Sequence, residues 1–140
     1  AEGYLTGIVE NIDDTEYSST SLTYENGDIT SISSKMNGLE NKFIYEPGEE
    51  SSTYHLPCLG LLEIHPLTFH IEALYAGLLG KDPRHFTMHS CPAGSNDEKT
   101  VYSYGFDKKG NPSRMICQTT YAGGQASYYP YTRNISISFE

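Results

Sequence analysis

The sequence predicts a mainly β, single-domain protein: a curved antiparallel meander of β-hairpins, with one helical segment over about residues 66–79 packed against it. Three observations predict this. A Gly-centred unit recurs along the chain, apolar and polar residues alternate on both sides of it, and the composition favours strands. The unit is an aromatic–acidic pair leading to Gly, then one residue, an apolar residue, two more, and a second apolar residue. It stands as Tyr24–Glu25–Asn26–Gly27 with Ile29 and Ile32, and again as Phe106–Asp107–Lys108–Lys109–Gly110 with Pro112 and Met115. A shortened copy opens the chain as Gly3 with Leu5 and Ile8, without its aromatic–acidic pair. Twelve Tyr, no Trp and abundant Ser and Thr suit a pleated, half-buried surface better than a helix.

Each element follows in turn. Gly adopts positive φ freely, as a tight turn between strands requires, and Asn26–Gly27 between alternating runs is a strong hairpin signal. Tyr17–Glu25 runs in, with Leu22 and Tyr24 on one face. On the way out, Ile29 and Ile32 are three apart and break strict alternation, so a bulge or edge twist is expected after the turn. Leu5/Ile8 and Pro112/Met115 share that offset, which makes it a property of the unit. A strand over Glu40–Glu46 is expected to pair with Asp28–Lys35 across Asn37–Gly38, and Pro47 is expected to end it. Residues 47–53 then read as a polar loop without periodicity.

The helical segment opens at Pro66, a residue suited to a first helical turn. Leu67, Ile71, Leu74 and Leu78 repeat at helical spacing, and Gly80 fits a C-terminal cap with Pro83 beyond. With Leu59, Leu61, Leu62 and Ile64 just upstream, residues 56–79 are the most apolar part of the chain and need a sheet face to cover them. Strands follow over about Arg84–Cys91, Thr100–Phe106, Ser113–Tyr121 and Ser127–Phe139, the last turn being Ala122–Gly123–Gly124–Gln125. Ile135, Ile137 and Phe139 alternate with polar residues, as in a half-buried closing strand, and Pro130 places its start at an edge.

A chain of 140 residues forms one domain and can bury a core without metal or disulfide staples. Its net charge of −9 argues against nucleic acid, because phosphate binding needs clustered Lys and Arg. The tightest basic grouping, Lys108–Lys109, sits in a turn. No apolar run is long enough for a membrane-spanning helix. The chain begins inside a unit, so more sequence is expected upstream of Ala1. Asn134–Ile135–Ser136 is a glycosylation sequon, meaningful only in a secreting eukaryote.

Chemistry-bearing residues are sparse. Cys58, Cys91 and Cys117 show no metal-like spacing, and Cys91 and Cys117 on strands read as small buried hydrophobes, with a disulfide left open. His65 and His70 are five apart, a poor spacing for one helix face. His85 and His89 share a strand face, and a site with His55 and His65 would require the helix to pack on that strand. Without a His-x-His pair or a zincin motif, no metal site is expected. Asp13–Asp14, Glu49–Glu50 and Asn96–Asp97–Glu98 lack the spacing of a calcium loop and read as solvated turns. No nucleophile elbow, Cys–His arrangement or phosphate cradle is present, so no catalytic residue and no cofactor is assigned. Tyr121, Tyr128, Tyr129 and Tyr131 cluster about the last turn. They form a candidate binding surface for sugar or peptide, although a cross-strand Tyr ladder explains the same residues.

The recurring unit is similar to the YD-type repeats of bacterial wall-associated and Rhs proteins, which are also strand–turn–strand units. The order of features resembles a family of secreted lipoproteins of unknown function from gut Bacteroidetes. There, hairpins precede a short helical stretch, a motif like Tyr75–Ala76–Gly77–Leu78–Leu79–Gly80–Lys81, and Tyr-rich strands with a unit like Phe106–Gly110. The resemblance implies export, a lipidated Cys upstream of Ala1, and a periplasmic or surface location, but no activity. The leading expectation is therefore a non-enzymatic envelope domain binding a protein partner or glycan. Two alternatives stand beside it: a carrier of an apolar ligand under the helical segment, and a hydrolase without a recognisable motif.

Overall fold

The computed structural model describes residues 3–51, 80–95, 97–110, 112–121 and 131–136. Its strands are β1 (Gly7–Ile12), β2 (Thr15–Glu25), β3 (Asp28–Met36), β4 (Leu39–Ser51), β5 (His85–Pro92), β6 (Glu98–Phe106), β7 (Pro112–Tyr121) and β8 (Tyr131–Ser136). They form one eight-stranded sheet in strict chain order, with each neighbouring pair antiparallel. The predicted meander is therefore present. The helix expected over 66–79 lies outside the described residues.

Three two-residue turns drive the first four strands into hairpins. Asp13–Asp14, Asn26–Gly27 and Asn37–Gly38 all have positive φ at both positions (50° and 61°, 53° and 91°, 51° and 78°). That backbone twist matches the right-handed twist of the flanking strands, and Asn and Asp tolerate it because their short polar side chains bond locally. Lys108–Lys109 sits in a longer turn. There Gly110 N donates to Asp107 O at 3.0 Å, and Lys109 N to the Asp107 Oδ1 at 2.8 Å.

The three-residue offset after Gly27 and after Gly110 is a β-bulge. Between β2 and β3, Thr23 pairs with Ser31 but Tyr24 pairs with Ile29, leaving Thr30 as the extra residue. Between β6 and β7, Gly105 pairs with Arg114 and Phe106 with Pro112, leaving Ser113 over. One extra residue in a period-two element returns the next apolar side chain to the same face. Ile29 and Ile32 are accordingly both buried, as are Pro112 and Met115. Leu5 and Ile8, at the same offset, both pack against the first core cluster.

One face of the sheet carries the core. Register sets Leu22 opposite Ile32 and Ile32 opposite Phe43; farther along, Tyr45 faces Ser90, Ser90 faces Thr100, and Thr100 faces Thr119. Leu22, Ile29, Ile32 and Tyr45 form one buried cluster, and Phe86, Tyr102, Met115 and Cys117 a second. Full burial of each such side chain contributes about 1.5–3 kcal/mol. Buried hydroxyls on this face pair with each other: Thr100 with Thr119 and Ser90 with Tyr102, both at 2.8 Å. This satisfies groups that would otherwise carry a desolvation penalty.

Two expectations about β4 are corrected. Pro47 does not end the strand, which runs on to Ser51, and Glu49–Glu50 lie in it rather than in a turn. Pro is excluded from a regular ladder because it lacks an N–H, but a bulge removes that demand. The register between β4 and β5 shifts on both sides of Pro47, from Glu46↔His89 to Pro47↔Thr87 to Ser51↔His85.

The returning chain is fastened at the Gly27 turn. Lys81 N donates to Gly3 O at 2.7 Å, Arg84 N to Gly27 O at 2.9 Å, and His85 N to the Asp28 Oδ1 at 2.7 Å. Tyr4 stacks on Tyr24 with ring centroids 4.7 Å apart, and the Lys81 ammonium lies 4.8 Å from the Tyr4 ring. Gly80 has φ of 95°, and a Cβ there would meet Gly3 O at 2.8 Å, so this crossing admits only Gly.

Candidate functional site

The most irregular part of the sheet surrounds the first half of β5. Its ladder with β6 is made at His89↔Val101 and Ser90↔Thr100, yet both strands continue toward His85 and Phe106. On its other side, β4 advances four positions, from Pro47 to Ser51, where β5 advances two. Residues His85–Met88 thus lie between a wide bulge and an unzipped seam.

Side chains connect the two strands beyond these paired positions. Continuing the register would set Phe86 opposite Tyr104, and their rings still stack with centroids 4.7 Å apart. The Tyr104 hydroxyl donates to Thr87 O at 2.8 Å. A main-chain carbonyl at the edge of β5 therefore takes the far end of a side chain from across the seam. Phe106 leans toward Phe86 at 6.1 Å, and the Ser90–Tyr102 hydroxyl pair closes the zipped end.

A groove of about 680 Å³ opens here. Phe86, Met88, Tyr102 and Tyr104 supply its apolar walls, with Thr87, Ser103 and Glu49 as polar groups. That size and mixture match a ligand site, in which apolar surface supplies affinity and a few polar groups set orientation. No spacing rule could have found it. Its signals were Pro47–Gly48 within a strand and an aromatic at every second position of β6 (Tyr102, Tyr104, Phe106), and both read equally well as sheet structure.

The sequence-derived candidates among the described residues do not line this groove. Tyr121 lies on β7, half-buried, and Tyr131 begins β8 opposite Thr119. Tyr128 and Tyr129 lie outside the described residues, so the proposed Tyr surface is not assembled within them. His85 and His89 take separate carboxylates: His85 Nδ1 is 2.9 Å from the Asp28 Oδ2, and His89 Nε2 is 2.9 Å from the Glu46 Oε2. His55, His65 and His70 lie outside the described residues, and among those described no three metal-ligating side chains gather. The turn reading of Asp13–Asp14 holds. Cys91 and Cys117 lie on β5 and β7, Cys117 fully buried and Cys91 half-buried. The expected carrier cavity under the helical segment also falls outside the described residues.

Residues 1–114 match a family model described as a domain of unknown function (DUF4595) with porin-like fold. Among solved structures, the chain is similar to a porin-like protein from Bacteroides uniformis ATCC 8492, with a TM-score of 0.79 and 26% sequence identity. That likeness covers 98% of this chain and 54% of the other, so the chain spans about half the length of that protein. No curated protein matches it. Among the described residues, no helix is long and apolar enough to cross a membrane.

Proposed function

The chain belongs to the DUF4595 family, domains of unknown function with a porin-like fold, and from that premise we propose that it is a non-enzymatic binding domain of the cell envelope. The reading includes export and a lipid-anchored precursor, as the resemblance to secreted Bacteroidetes lipoproteins implies. The groove at the β5–β6 seam is its ligand site. That groove carries the proposal, since it combines an apolar wall with convergent polar groups in a ligand-sized volume.

The chemistry of the two faces supports a role in water rather than as a pore wall. A lipid-facing barrel strand turns its apolar residues outward, and a Lys or Arg at mid-bilayer costs about 2–4 kcal/mol. Here the face opposite the core exposes Lys35, Lys42, Lys99 and Arg114, together with Glu46 and Gln118. A binding rather than hydrolytic role is supported by the groove's polar groups. Glu49 is the one carboxylate among its described lining residues, whereas glycoside hydrolysis uses two.

The test is a titration followed by amide NMR, with one pool of extended peptides and one of oligosaccharides. Shifts confined to Phe86–Met88 and Tyr102–Tyr104 are expected from one pool. If neither pool moves these amides, the groove is not the site and the proposal fails.

A further inference from the structure

We infer that Asn37, at the tip of the β3–β4 hairpin, is a site of spontaneous backbone modification. It converts through a cyclic imide to aspartate and isoaspartate, while Asn26, in the like turn between β2 and β3, is held against the same reaction. The inference is independent of the groove. The chain holds two Asn–Gly dipeptides, Asn26–Gly27 and Asn37–Gly38. In this reaction the backbone nitrogen of the residue after Asn attacks the Asn side-chain carbonyl carbon. The new N–C bond closes a five-membered ring, and the side-chain nitrogen leaves as ammonia with the proton that the attacking amide gives up. Water then opens the ring at either carbonyl, giving aspartate or a backbone rerouted through the side chain. A following Gly favours the attack, because no Cβ crowds the nitrogen and the backbone there turns most freely. Every other Asn precedes a bulkier residue: Ile12, Lys42, Asp97, Pro112 or Ile135.

The two turns share their backbone geometry, with Asn φ of 53° and 51° and Gly φ of 91° and 78°, so local conformation does not rank them. Their surroundings do. Ring closure must rotate the peptide unit between Asn and Gly out of this geometry. Gly38 is exposed, and a Cβ there would meet nothing within 4 Å. Met36 and Leu39, the last pair of that hairpin, are 37% and 74% exposed, so its tip opens without disturbing a core. Gly27 is buried, and its carbonyl accepts from Arg84 N at 2.9 Å. The Tyr4 hydroxyl oxygen and the Arg84 Cβ lie 2.9 and 3.4 Å from where a Cβ of residue 27 would sit. The next residue, Asp28, is itself buried and takes the His85 amide at 2.7 Å. Rotating this turn breaks contacts with segments far along the chain, so reaction there waits on a larger opening.

The test incubates the unaltered chain in mildly alkaline buffer, folded in one arm and unfolded in urea in the other. Proteolysis and mass spectrometry then follow the mass gain at each Asn–Gly, with chromatography separating the aspartyl from the isoaspartyl peptide. In the folded arm Asn37 should convert faster than Asn26 by about fivefold or more, the factor carried by one intact hydrogen bond at Gly27. In urea the two rates should converge, because both sites present the same dipeptide. Equal rates in the folded arm overturn the inference, as does earlier conversion at Asn26. A folded chain whose Asn37 stays intact while the urea arm converts also overturns it. A preference for Asn37 that persists undiminished in urea removes the surroundings of the turns as its cause and overturns it too. No substitution is involved, so the outcome does not depend on a variant that folds.

Discussion

Replacing Gly27 by Ala should destabilise the protein markedly more than replacing Gly38, although both glycines occupy the second position of the same kind of turn. At Gly38, φ is 78° and a Cβ would meet nothing within 4 Å, so backbone strain is the whole cost. That strain is about 1 kcal/mol for a non-Gly residue held in the left-handed region. At Gly27, φ is 91° and a Cβ would lie 2.9 Å from the Tyr4 hydroxyl oxygen and 3.4 Å from the Arg84 Cβ. Tyr4 is poorly placed to yield, because it stacks on Tyr24 at 4.7 Å and carries the Lys81 ammonium at 4.8 Å. Disturbing the ring pair and the cation contact adds about 1–2 kcal/mol, for a total of about 2–3 kcal/mol. Equilibrium urea unfolding, followed by tyrosine fluorescence in this Trp-free chain, reads the difference as a shift in midpoint at unchanged slope. Equal losses for Gly27→Ala and Gly38→Ala would refute the reasoning, because Tyr4 would then be moving aside without cost.

Three further outcomes are expected. Ile32→Ala, at a site with 0% exposure, should lose about 2–5 kcal/mol in the same assay; a loss below 1 kcal/mol would mean that the cluster around it closes over the cavity. Thr100→Val and Thr119→Val should each cost about 1–3 kcal/mol by orphaning the partner hydroxyl 2.8 Å away, and the double variant should cost less than their sum. Additive losses would show that the two hydroxyls are not coupled. Asp28→Ala removes the acceptor of both the His85 amide and its ring nitrogen, so exchange of the His85 amide hydrogen should accelerate while that of the Ile32 amide stays slow. Unchanged protection at His85 would count against Asp28 as the anchor of β5.

Much of the scaffold is legible in the sequence because its determinants are local. Asn26–Gly27 and Asn37–Gly38 announce turns through their tolerance of positive φ, and the offset of Ile29 to Ile32 encodes a bulge within five residues of the turn. The same offset from Pro112 to Met115 forecasts the second bulge. Pro47 misleads for an equally physical reason. Its missing N–H forbids a regular ladder but not a bulged one, and only the pairing of β4 with β5 distinguishes the two.

Local chemistry, then, determined the hairpins, their turns, their bulges and the choice of buried face. Each depends on φ preferences and a period-two pattern that a few adjacent residues carry. The tertiary structure decided what joins distant segments. It brought Asp28 to His85 across 57 positions, set Gly27 beneath Tyr4, and limited the β5–β6 ladder to two paired positions. Whether two strands stay zipped depends on the twist and the bulges of the strands on either side. The groove that opens there, and with it the candidate site, exists only once the whole sheet has been assembled.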